Sequence, residues 1–128
     1  MSIFATKTIL EYIMSHQESH RQERVRSLLK RDLSEIFQRI GHEIFPGVMF
    51  TVTTVRISPD LSIATVYLSL FPATDKEAVL HKVRENSSKI RFELGKRVGK
   101  QLRIVPELRF FIDDSLDYID RIDELLKK

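Results

Sequence analysis

The chain has no cysteine and no tryptophan, and only four glycines and four prolines in 128 residues. The missing cysteines exclude disulfides, thiolate metal sites and cysteine nucleophiles, and they fit a reducing compartment. No apolar run approaches the roughly 20 residues of a membrane span. The opening stretch, MSIFATKTILEYIM, lacks the cationic start and continuous apolar core of a secretory signal. A cytoplasmic protein with no membrane partner is therefore expected. A glycine-rich phosphate loop with an adjacent Lys-Ser or Lys-Thr is missing, and so is a nucleophile elbow. With 42% hydrophobic and 30% charged residues, the length suits one soluble domain around one modest core.

Metal-ligating residues are also thin. His16 and His20 are spaced i, i+4, but Gln17 stands where a zinc protease needs glutamate, and no third ligand is apparent. His42 and His81 are isolated, which suits surface or satisfied core positions. Asp113, Asp114 and Asp117 fit a helix start, where the dipole favours negative charge. The expectation is a protein without metal, cofactor or catalytic activity.

What is present is concentrated positive charge. From Arg84 to Arg103 there are seven basic residues (Arg84, Lys89, Arg91, Lys96, Arg97, Lys100, Arg103) against two acids, Glu85 and Glu93. That net +5 exceeds the +3 of the whole chain. A polyanionic partner fits this balance.

Hydrophobic spacing orders the chain. Residues 1–18 read as an N-terminal extension, and 19–128 as the folded domain. Val25, Leu28, Leu29, Leu33, Ile36, Phe37 and Ile40 share one helical face over His20–Ile40. Ser19 and Gln22 form a capping pair at its start, and Gly41 sits where a left-handed stop belongs. Its outer side carries Arg21, Arg24, Arg26, Lys30 and Arg31. After the Pro46-Gly47 turn, Val48–Ile57 reads as a strand whose alternation slips between Val52 and Val55, which predicts a bulge. Ser58-Pro59-Asp60-Leu61 is turn chemistry, and Ser62–Leu70 is a second strand, antiparallel to the first. Thr74 to Glu77 reads as a capping box opening a helix that buries Val79, Leu80 and Val83. Asn86-Ser87-Ser88 then interrupts it, because these side chains prefer local backbone bonds to helix continuation.

A second helix resumes at Lys89, burying Ile90, Leu94 and Val98. Gly99 is a candidate stop for it, with a loop from Lys100 to Val105. Phe92 lies at the edge of the cationic face, where packing against a neighbouring element is expected over stacking on a base. Glu107–Ile112 is a third strand, with Leu108, Phe110 and Ile112 alternating. Asp113-Asp114-Ser115 can cap a final helix with an apolar stripe of Leu116, Ile119, Ile122, Leu125 and Leu126. Its outside carries Asp117, Asp120, Asp123 and Glu124. The architecture expected is α+β, a three-stranded sheet with helices packed on one face.

The order of elements is that of a type II KH domain. Leu102-Arg103-Ile104-Val105-Pro106-Glu107-Leu108, Phe110-Phe111 and Asp113 to Leu116 closely resemble the C-terminal signature of the ribosome-binding factor A family. So do Arg21-Gln22-Glu23-Arg24-Val25 at the start, Ser58-Pro59-Asp60-Leu61 to Val66-Tyr67 in the hairpin, and Ile90-Arg91 with Leu94-Gly95-Lys96 in the basic helix. The resemblance spans Arg21 to Leu126. It implies a single KH-like RNA-binding domain that acts as a non-catalytic ribosome assembly factor. It implies binding to the immature 30S small subunit and its 16S rRNA, assistance in rRNA processing and late maturation, a monomeric state, and release by a GTPase. The family's Ala-x-Gly interhelical kink aligns with Asn86, Ser87 and Ser88, so its two small residues are absent here. The chain is also about two residues longer between Gly95 and Leu102.

On this reading Lys89, Arg91, Lys96, Arg97, Lys100 and Arg103 contact phosphates, with Arg24 and Arg31 in the same footprint and the kink residues Asn86, Ser87 and Ser88 beside them. The kink adds the backbone N–H groups of a helix start. Arg91 and Arg97 face partly sideways, where internal pairing is the alternative. The competing reading is a protein-interaction module using the acidic C-terminal helix or a sheet edge.

Overall fold

The structure is a computed structural model that describes residues 19–113. Helix α1, His20–Ile44, begins with both halves of the capping box in place: Gln22 N donates to Ser19 Oγ (3.1 Å) and Ser19 N donates to Gln22 Oε1 (3.0 Å). Two orphan donors of the first turn are satisfied reciprocally. The helix does not stop at Gly41. It continues one more turn to Ile44, whose buried side chain extends the apolar stripe, and ends at Phe45. Gly41 is there for space: a Cβ on it would lie 2.9 Å from Phe50 Cδ2. The left-handed backbone falls instead to Gly47, at φ 83, in the turn after Pro46. Gly41→Val should therefore overpack the α1–β1 contact and cost about 1–3 kcal/mol, read as a lower urea midpoint.

Strands β1 (Met49–Ile57) and β2 (Ile63–Phe71) pair antiparallel, and the register shifts between Val52 and Thr54 as the slipped alternation predicts. The connecting turn is built around Asp60, whose carboxylate accepts from Ser62 N (3.2 Å), Ser62 Oγ (2.7 Å) and Ser58 Oγ (2.8 Å). These bonds, from Ser62 first and then Ser58, hold the Asp60 carboxyl below its ordinary range. Helix α2 (Lys76–Glu85) is capped by Asp75, which accepts from Ala78 N at 3.1 Å; Thr74 does not cap it. The shift by one residue favours the carboxylate, the stronger acceptor at a helix start.

Helix α3 (Ser87–Val98) follows after Asn86 alone, so the expected interruption is a junction between two helices. Strand β3 (Glu107–Ile112) then pairs in parallel with β2, giving the order β1-β2-β3. The α-β-β-α-α-β order and the mixed sheet are the α+β, type II KH-like arrangement. The final helix expected after Asp113 lies outside the described residues, as do residues 1–18.

One face of the sheet is buried. Phe50, Val52, Val55 and Ile57 on β1, Ala64, Val66, Leu68 and Leu70 on β2, and Leu108 and Phe110 on β3 join one core with the helix stripes. At its centre the Phe37 ring stacks on Phe50 (5.4 Å) and meets Phe110 edge-on (6.0 Å). Aromatic pairs of this kind contribute about 0.5–1.5 kcal/mol beyond area burial. The same core fixes α1 and α3 side by side, and this positions the charged face.

Candidate nucleic-acid interface

The junction between α2 and α3 is made by Asn86, at φ −96 and ψ 11. Its side chain turns back to donate to Lys82 O (2.8 Å), closing the end of α2. It makes no bond to the first turn of α3, so no side chain caps that helix. Ser87 and Ser88 thus open α3 with first-turn N–H groups beside a positive dipole end, a geometry suited to an anion. Ser87 also lines a small groove of about 330 Å³ with Arg84 and β3 residues Leu108 to Phe111.

The cations of α3 are divided by what they touch. Lys89 Nζ lies 2.9 Å from Glu43 Oε2. Lys96 lies 3.2 Å from Glu93, which Arg39 of α1 meets from the other side at 2.5 Å. Arg97 pairs with Glu35 and lies 3.8 Å from the buried Asp32, which Arg31 also approaches at 3.5 Å. Arg91 reaches no acid: its guanidinium donates to Val105 O (2.7 Å) and Pro106 O (3.2 Å), tying the 99–106 loop to the helix. Lys89 and Arg97 are therefore rungs of an ion-pair ladder between α1 and α3, Lys96 supports from within α3 the Glu93 that Arg39 reaches across from α1, and Arg91 is a tether.

Arg24, Lys100 and Arg103 are different. None makes an ion pair or side-chain hydrogen bond among the described residues, and all are exposed. The fold sets Arg24 across a groove from the loop that carries the other two. An open groove of about 1130 Å³ runs between the first half of α1 and the 99–106 loop, lined by Arg21, Arg24, Leu28, Arg31, Gln101 and Leu102 among others. Lys100 and Arg103 flank the two loop residues that line it. The loop is held there by Gln101 N and Leu102 N, both 2.8 Å from Val98 O. Two cationic patches some 70 residues apart in the chain (Arg31 to Gln101) thus border one groove. Arg21 belongs to this rim but stood outside the sequence-based set. Its signal was its place on one helical face with Arg24 and Arg31.

Phe92 does not pack inside. It is 66% exposed, and Lys96 Nζ sits 5.1 Å from its ring centroid. The 100° step of the helix turns it away from Ile90 and Leu94, and no other element covers that side. An exposed ring under a cation is an arrangement that can take a base.

The ladder also sets an acid response. Glu93 is held below its ordinary 4.5 by the hydrogen bond from Lys96 first and then that from Arg39. Glu43 is lowered likewise by Lys89. A lowered folded value gives stability that is present above the unfolded value and lost as pH falls through the folded one. Wild type should therefore exceed Glu93→Gln in urea midpoint at neutral pH, and the two should converge well below pH 4.5.

Among the described residues, no group of three or more His, Asp or Glu side chains could hold a metal ion, and no helix is long and apolar enough to cross a membrane.

The family model described as Ribosome-binding factor A matches residues 21–126. The ribosome-binding factor A of Cytophaga hutchinsonii is 40% identical over 111 residues, covering 87% of this chain and 84% of that protein. That of Flavobacterium johnsoniae is 42% identical over 110 residues, covering 85% of each. The crystal structure of ribosome-binding factor A from Thermus thermophilus superposes with a TM-score of 0.59 at 28% identity, covering 71% of this chain and 94% of that one. A homology model of the Thermus thermophilus factor, fitted into a cryo-EM map of its complex with 30S, gives 0.61 at 27% identity, covering 77% and 97%.

Proposed function

The chain belongs to the ribosome-binding factor A family, and on that premise we propose that it binds the immature 30S subunit through its 16S rRNA and assists the subunit's late maturation. Support for rRNA as the surface it meets comes from one observation: Arg21, Arg24 and Arg31 line one groove against a single acid, Glu23, and Lys100 and Arg103 flank its loop residues Gln101 and Leu102, with no acid paired to Arg21, Arg24, Lys100 or Arg103 among the described residues. Phosphate contacts supply the affinity, and the shape of the groove and the α2–α3 junction supplies the selectivity. Exposed Phe92 adds a stacking position beside Lys96. Lys89, Lys96 and Arg97 act at the margin of the footprint, where each can exchange its acid for a phosphate. Arg31 lines the same groove, while Arg91 holds the loop in place.

The action is non-catalytic and cytoplasmic. The domain begins at about residue 19, works as a monomer, and takes part in rRNA processing by holding RNA. A GTPase releases it when the subunit is mature. The test is co-sedimentation of the full chain with 30S particles across a salt series. Binding to immature particles that weakens steeply between about 50 and 200 mM salt is expected. Binding that persists at high salt would point instead to a protein surface on the subunit.

A further inference from the structure

The outward face of the sheet carries a row of side chains that the α1 groove does not use. Tyr67 in the middle of β2 and Phe111 on β3 alternate with buried neighbours and lie opposite each other in the parallel register. Their ring centroids are 5.9 Å apart, with the planes tilted by 32°. A guanidinium stands at each end of the pair. Arg56 of β1 lies 5.9 Å from the Tyr67 centroid, and Arg84 of α2 lies 5.6 Å from that of Phe111. Cation, ring, ring and cation thus follow one another across all three strands. Arg84 reaches the row around the edge of the sheet. Glu107 and Asp113 turn their N–H groups to Ser62 O and Leu68 O of the β2 segment, so Phe110 turns its peptide groups to the free edge, where Arg84 donates to its carbonyl. Arg84 belongs to the basic segment of the sequence but lies outside the α1 groove.

We propose that this row is a stacking platform for single-stranded RNA, a second contact that rests on the RNA-binding reading above and lies apart from the α1 groove. The arrangement of the rings selects the occupant. They lie side by side, so two bases that take one ring each are splayed apart. Splayed bases occur in loops and single strands, whereas the bases of a duplex stay stacked on one another. Phe111 is 42% exposed, which leaves its ring open to such a base. Phe71, on the same face of β2 and 66% exposed, offers a third ring about 13 Å farther along the strand.

The charge around the rings is complementary to the same ligand. Guanidinium planes stack on bases and pair with phosphates, so an arginine at each end suits both parts of a nucleotide. Arg84 uses Nε (3.3 Å) and Nη2 (2.8 Å) on Phe110 O. That fixes its plane beside Phe111 and leaves further N–H donors of its fork for a phosphate. Arg109 stands two residues before Phe111 on the same face and adds a third cation. The described acids of β3 on this side are engaged: Glu107 lies 3.5 Å from Arg109, and the Asp113 carboxylate accepts from Thr53 Oγ1 at 2.5 Å. Stacking gives the platform affinity without a preference among bases, because every base has a π-face.

The test is fluorescence anisotropy of a labelled single-stranded oligouridylate titrated with the full chain. Tyr67→Leu and Phe111→Leu each remove a ring and no charge. Either is expected to weaken binding about 5- to 150-fold, the range for one stacked base, with the slope of log K against log salt unchanged. Tyr67→Phe and Phe111→Tyr keep the rings and should keep the affinity. Duplex RNA should bind the ring-less variants as it binds wild type. The combination of Arg24→Gln, Lys100→Gln and Arg103→Gln separates this platform from the groove: it should flatten the salt slope and leave the dependence on Tyr67 and Phe111 in place. Ring-less variants that bind the oligouridylate as tightly as wild type would overturn the platform, even where the triple variant loses affinity and upholds the groove. Ring-less variants that lose only co-sedimentation with 30S would also overturn it, making the face a protein contact.

Discussion

Replacing Arg24, Lys100 and Arg103 together by glutamine is expected to lower affinity for 30S particles by about 100- to 500-fold at roughly 0.1 M salt. The reasoning is counterion release. Each phosphate neutralised contributes about 0.7–0.9 to the slope of log K against log salt. At roughly 0.1 M that slope converts to about five- to eightfold in affinity per contact. Three lost contacts should also flatten the slope by about 2 to 3, a signature that a folding defect would not give. The fold should survive, because these side chains hold nothing among the described residues. Lys89→Gln makes the contrast. Lys89 is already neutralised by Glu43, so its loss should change the slope by less than a full contact. A triple variant with an unaltered slope would remove the groove from the interface.

Phe110→Ala should have the largest effect on stability, about 3–5 kcal/mol. Phe110 is 2% exposed and meets Phe37 edge-on. It also carries the carbonyl to which Arg84 donates from Nε (3.3 Å) and Nη2 (2.8 Å). Truncation leaves a cavity where α1, α2 and β3 converge. Against a total stability of about 5–15 kcal/mol for a domain of this kind, that is enough to leave a large fraction unfolded at growth temperature. Urea titration should show a much lower midpoint with little change in slope.

The fold was legible wherever the signal was local. The stripe from Val25 to Ile40 marked α1, and the slip between Val52 and Val55 marked the bulge. The short polar run at Asn86 marked the helix junction. One miss was local, the α2 cap that falls to Asp75 beside the expected Thr74; the others depended on something distant in the chain. Gly41 has the composition of a helix stop, but its partner is Phe50, which only the fold brings to it. Phe92 is apolar enough for a core, yet its position on α3 meets no neighbour. At the candidate site, charge density was legible and charge availability was not. The acids that occupy Lys89 and Arg97 are Glu43 and Glu35, 46 and 62 residues away. No local pattern separates those cations from Lys100 and Arg103.

The parallel pairing of β3 with β2 has a consequence for how the protein is made. Synthesis runs from the N-terminus, so α1, the hairpin, α2 and α3 all emerge before β3. Until Glu107–Ile112 follows, β2 keeps one edge of unpaired N–H and C=O groups, and the site beside Phe37 waits for its ring. A nascent chain arrested before Phe110 therefore carries a nearly complete set of helices around an unfinished sheet. Such an intermediate exposes apolar surface and a pairing edge together, which makes it a chaperone substrate and an aggregation risk. The commitment to a stable molecule comes with the last strand.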